Sequence, residues 1–175
     1  MRRGGLIGLL LVLGVSAARA EVAEARTLDA VMRAFHPGSR IRIVSVWATW
    51  CVPCVAEIGD LQRIADRFKT DGVELIGISL DDAIPGDRAH SKQQLERFLA
   101  ERHIRFRNLY YTGRTADLAE RLKFDGAIPI AIVFDEAGRE IARSEGKLDV
   151  DWFTKTLETL SRKHTGAVRK SSGTD

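Results

Sequence analysis

The chain has 175 residues, 45% hydrophobic and 29% charged, which is the range of one soluble domain able to bury a core. Its formal charge of +3 includes Arg2, Arg3 and Arg19, and no acid lies among the first twenty residues, so the remainder is formally neutral. That balance leaves no electrostatic footprint for nucleic acid.

The opening "MRRGGLIGLLLVLGVSAARA" has two arginines, an apolar run from Leu6 to Val15, and Ala18-Arg19-Ala20 ahead of Glu21. This is the pattern of a secretory signal peptide over residues 1–20, cut after Ala20. An N-terminal membrane anchor is the competing reading, but the run falls short of the ~20 residues that span a bilayer. The mature protein is therefore expected to be exported, in a periplasm or its equivalent. No cysteine near the cut offers a lipid anchor.

In chain order, "EVAEARTLDAVMRAF" places Leu28, Val31, Met32 and Phe35 at helical spacing behind a cap at Thr27, and Pro37-Gly38 ends it. "IRIVSVW", Ile41 to Trp47, is apolar on both alternating sets, as a strand covered on both faces would be. "CVPCVAEIGDLQRIADRFKT" repeats Val55, Ile58, Leu61, Ile64, Ala65 and Phe68 every three or four residues, a long amphipathic helix that begins at the cysteines. "GVELIGISL" reads as a second buried strand. After the connection "DDAIPGDRAH", long enough for a recognition loop, Ser91 can cap a helix with Leu95, Phe98 and Leu99 inward.

"RFRNLYY" is a short strand and "TADLAERLKF" a short helix. "IPIAIVFDEAGREIARSEG" reads as two strands turning at Asp135 to Gly138, and "DVDWFTKTLETLSRK" as a closing helix capped by Asp149. Parallel strands with intervening helices and a terminal hairpin predict an α/β fold, a three-layer α/β/α sandwich around a mixed sheet, over residues 21–160. Residues 161–175, with Arg162, Lys163, Arg169 and Lys170 and no apolar period, read as a flexible basic tail.

Cys51 and Cys54 are the chain's two cysteines. A disulfide closing four residues restrains an unfolded chain by about 2 kcal/mol at most, against almost 5 for a loop of order 100 residues, so a staple is a poor explanation. A metal site needs further ligands, and His36, His90, His103 and His164 are scattered, each with a surface reading. Copper held with a distant histidine remains the binding alternative. A reactive pair needs a lowered thiol pKa and a second thiol in reach. A helix starting at Cys51 supplies unpaired amides and the positive dipole end, and Cys54 lies one turn on. Pro53 in the first turn forfeits an amide with no helical partner.

"VWATWCVPCVAEIGDL" resembles the active-site segment of thioredoxin-fold proteins, and in particular the TlpA/DsbE-like (ResA-like) exported thiol-disulfide oxidoreductases. The resemblance runs from about Ile41 to Leu160 and includes "GAIPIAIVFDEAGREIAR". It implies the thioredoxin fold, with Cys51 as attacking and Cys54 as resolving cysteine. It also puts Ile128-Pro129 at the family's cis-proline beside the pair. Trp50 falls on the rim that meets substrate, and Trp47 in the core. Glu57 matches an acid one turn beyond Cys54; a tuning carboxylate and a solvated helix glutamate stand as equal readings. Two positions depart from the pattern: Ser45 replaces Asn, and Gly59 replaces a helix-bending proline.

The activity implied is reduction of disulfides in client proteins, including cytochrome c maturation, with electrons from a DsbD- or CcdA-like membrane thiol transporter. Val52-Pro53 offers the thiolate no polar donor, which favours a reducing pair. An oxidase or isomerase of the same fold and a non-enzymatic copper- or thiol-binding module are the alternatives. Gly113 and Gly126 are isolated turn glycines and Asp81-Asp82 reads as a strand end, so neither a nucleotide cofactor nor a metal is expected.

Overall fold

The computed structural model describes residues 22–171, so the expected leader and its expected cut after Ala20 lie outside the described residues. In chain order it forms β1 (Val22–Ala25), α1 (Leu28–Arg33), β2 (Ile41–Trp47), α2 (Val52–Phe68), β3 (Val73–Ser79) and α3 (Arg88–Glu101). There follow β4 (Arg107–Tyr111), α4 (Thr115–Leu122), β5 (Ile130–Asp135), β6 (Glu140–Glu145) and α5 (Val150–Ser171).

The sheet runs β1-β4-β3-β2-β5-β6. The first four are parallel, while β5 is antiparallel to β2 and β6 antiparallel to β5. Connections β1 to β2 and β2 to β3 cross the sheet in opposite directions, so right-handed crossovers put α1 and α2 on opposite faces. Ion pairs agree: Arg121 of α4 meets Asp29 of α1, and Arg67 of α2 meets Glu158 of α5. The expected α/β/α sandwich with a mixed sheet results, and β2 at its centre buries every residue but Arg42.

One bond ties the middle of the sheet across three strands. The Trp47 indole Nε1 donates to Asn108 Oδ1 on β4 at 3.0 Å, passing over Gly77 of β3. A Cβ at Gly77 would stand 2.1 Å from that oxygen and 2.8 Å from the indole nitrogen, so the side chain must be absent there. At one margin, β6 is largely exposed and charged. Its Arg143 pairs with Glu140 and Glu145 and donates to the carbonyls of Leu122 and Lys123 at the end of α4.

Three local points go beyond the sequence reading. Thr27 caps α1 as expected, with the helix starting at Leu28, and before it Val22–Ala25 adds a strand that the sequence reading did not contain, paired in parallel with β4. Helix α3 is capped not by Ser91 but by Asp87, whose carboxylate accepts from the amides of Ala89 and His90, so the helix starts earlier and shortens the preceding loop. Ser91 instead lies within it, bonded to Tyr110. The last helix extends past residue 160, where the sequence reading ended the domain, and continues to Ser171. Propagation of a nucleated helix needs no apolar face, and no proline interrupts that segment.

Candidate active site

Strand β2 ends at Trp47, and the chain turns over Ala48–Cys51, closed by the Cys51 amide donating to the Ala48 carbonyl at 3.2 Å. Cys51 is the cap of α2 and Pro53 lies in its first turn. Cys51 and Cys54 are joined in a disulfide, with Cα atoms 5.2 Å apart. The Cys54 amide points at Cys51 Sγ from 3.3 Å, one of the unpaired donors that a helix start leaves available to a thiolate. Both sulfurs are nearly enclosed, while Trp50 is half-exposed and Val52 is 80% exposed. An incoming polypeptide thus meets an apolar rim around a sheltered pair.

Two distant segments complete the surroundings. The Ile128–Pro129 bond is cis, and the Ile128 carbonyl oxygen stands 3.7 Å from Cys51 Sγ. Pro129 is buried and its carbonyl accepts from the Gly146 amide at 2.9 Å. Two residues on, the Leu148 amide donates to Glu57 Oε2 at 2.8 Å. Glu57 is only 7% exposed, so it is not a solvated helix glutamate. Burial pushes its carboxyl above the ordinary glutamate range, against the Leu148 amide and the charge of Lys147, which both pull it down.

This geometry coincides with a match of the AhpC/TSA family pattern to residues 14–144. The chain belongs to the AhpC/TSA family. Within it the chain is 32% identical over 141 residues to the thiol:disulfide interchange protein HelX of Rhodobacter capsulatus, covering 79% of this chain and 68% of HelX. It is 24% identical to the thiol-disulfide oxidoreductase ResA of Bacillus thuringiensis subsp. konkukian, over 67% of this chain and 62% of ResA. A DsbF homologue from Corynebacterium diphtheriae superposes with a TM-score of 0.59 at 22% identity, covering 82% of this chain and 88% of that one. The fold is therefore that of thioredoxin, and the protein is a thiol-disulfide oxidoreductase of the HelX/ResA type.

Sequence reasoning took Asp81 only as a strand end and missed what it touches in this oxidoreductase. Parallel register pairs Trp47 with Ser79, and the Leu80 amide donates to the Trp47 carbonyl, so Asp81 arrives alongside Thr49. Asp81 is 5% exposed and accepts from the Thr49 amide at 3.1 Å, from the Thr49 hydroxyl and from the Ser79 hydroxyl. A carboxylate just past the strand beside the one that leads into the cysteine turn is the signal that would have found it. Ser45 is buried in β2, and α2 runs unbroken through Gly59. Among the described residues, no three His, Cys, Asp or Glu side chains cluster to hold a metal, and no helix is long and apolar enough to cross a membrane.

Proposed function

We propose that this oxidoreductase is an exported dithiol reductase acting on disulfides of client proteins, with Cys51 attacking and Cys54 resolving. The observation that carries the direction is the buried Glu57 one helical turn from Cys54, held by the Leu148 amide. A carboxylate there opposes a thiolate, and a poorly stabilised reduced form makes a reducing pair. Val52 and Pro53 add no polar side chain to counter it.

In the reaction, the Cys51 thiolate attacks one sulfur of a client disulfide and expels the other as a thiolate. Cys54, as thiolate, then attacks Cys51 in the mixed disulfide and releases the client's second thiolate. The client gains two electrons and, on protonation, two thiols; the Cys51–Cys54 disulfide remains. No resident cofactor takes part. A membrane thiol transporter of the DsbD/CcdA type restores the dithiol. Trp50 and Ile128 line the surface on which an extended client segment lies, with Pro129 buried behind them, and Pro53 opens the helix without spending an amide. The resemblance to the TlpA/DsbE-like proteins supports cysteine pairs of apocytochrome c as clients, and the leader over residues 1–20 supports a periplasmic setting.

The reduction potential tests the direction. Equilibration in dithiothreitol or glutathione buffers, read by thiol alkylation, is expected to give a value near or below that of thioredoxin, about −270 mV. A value near that of a strong oxidant, about −120 mV, would replace reduction with disulfide donation.

A further inference from the structure

The turn that presents Cys51 is only partly covered by packing. Ala48 is buried, but Trp50 next to the cysteine is half-exposed and Val52 beyond it faces solvent. Among the described residues, every side-chain hydrogen bond to Ala48–Cys51, apart from those of the Cys51 sulfur itself, comes from Asp81. Thr49 is gripped twice, through its main-chain amide and through its hydroxyl. Ser79 steadies the grip from behind: its hydroxyl donates to Asp81 Oδ2 and accepts from the Asp81 amide at 3.2 Å.

Burying a carboxylate is costly unless its oxygens are satisfied, and the buried donors around it are left unpaired if it is removed. Among the described residues Asp81 has no ion pair, so its charge neutralises nothing. Its acceptor oxygens are instead directed at the residue two before the attacking cysteine. We propose that Asp81 is a positioning residue for Cys51: by clamping Thr49 it fixes the turn that aims the Cys51 sulfur at an incoming disulfide. The assignment rests on Cys51 being the attacking cysteine. It is independent of whether the pair runs as reductant or oxidant.

Orientation is where a distant contact gains leverage on rate, since a misplacement of about 1 Å can cost roughly 100-fold. The clamp also acts before any client is bound, so a small disulfide reports it as well as a protein does.

The experiment measures the second-order rate constant of the fully reduced chain with 5,5′-dithiobis(2-nitrobenzoate), together with the melting temperature of each variant. Asp81→Ala is expected to slow the reaction roughly 10- to 100-fold. Asp81→Asn keeps an oxygen for the Thr49 amide and is expected to restore most of the rate. Thr49→Val removes one of the two grips and should slow the reaction about fivefold, the worth of one hydrogen bond, with little change in melting temperature. The double variant Asp81→Ala/Thr49→Val should be no slower than Asp81→Ala alone, because both act through one contact. If Asp81→Ala melts lower but reacts at the parent rate, the clamp is structural only and the proposal fails. If that variant does not fold, an unchanged rate in Thr49→Val overturns it equally. Cys51→Ser in the same assay separates this failure from that of the underlying reading: rapid reaction of the remaining Cys54 would remove Cys51 as the attacking group.

Discussion

Replacing Glu57 by Gln removes a negative charge from the neighbourhood of Cys54 while leaving the Leu148 amide an oxygen to bond. Residues three apart on a helix have Cβ atoms about 5–6 Å apart. Two unit charges about 6 Å apart interact by roughly 3 kcal/mol at an effective dielectric near 20. An ionised Glu57 therefore opposes a thiolate at Cys54, and E57Q is expected to lower the pH at which that thiol ionises. The assay is alkylation across a pH series in a Cys51→Ser background, where a single thiol titrates and the coupled titration of the pair is avoided. The reduction potential of E57Q with both cysteines present should become less negative, by about 30 mV for each 1.4 kcal/mol gained by the reduced form. A Cys54 midpoint that stays put, or moves up, would refute the reasoning, because it would show that the buried carboxylate carries no charge when the thiol ionises.

The same carboxylate leaves a mark on stability. Its folded pKa lies above the unfolded value of 4.5, so the folded state binds the proton more tightly. That contribution is fully present below about pH 4.5 and is lost as pH rises through the folded value. Oxidised E57Q should thus melt higher than the parent at neutral pH, with the gap closing in acid; an equal gap at every pH would contradict the assignment. At the sheet centre, Gly77→Ala would drive a Cβ into Asn108 Oδ1 and break its bond to Trp47. Overpacking and a lost buried hydrogen bond together amount to about 3 kcal/mol, read as a lower urea midpoint at unchanged slope.

Much of the site was legible because its chemistry is local. Cys51 as a helix cap, Pro53 in the first turn and the buried strand before them all follow from one continuous stretch. The cis bond at Ile128–Pro129 came through family resemblance, since nothing in the residues around a proline fixes its isomer. Glu57 stayed undecided because the amide that holds it lies 91 residues away, on the loop after β6. The contact of Asp81 with Thr49 was invisible for a related reason: only the register of β2 on β3 makes it, and spacing along one chain does not reveal register. The strand Val22–Ala25 was missed because only Ala25 of its four residues is buried, which leaves no alternating pattern to detect. The cap at Asp87 was overlooked in favour of Ser91 because the apolar positions of α3, Leu95, Phe98 and Leu99, all lie toward its end.

The clasp made by Arg143 bears on how the protein behaves when concentrated. A strand at the margin of a sheet is a template on which further chains can stack, and unlimited stacking is the route to fibres. On β6 the side chain of Arg143 is spent on Glu140, Glu145 and the carbonyls ending α4. A second molecule laid against that margin would have to accommodate a ladder of fixed charges, and the ladder step shifts between Val133 and Phe134 just inside it. The margin is thereby closed to open-ended growth, while the far end of β2, where Cys51 waits, stays open to brief visits by other chains.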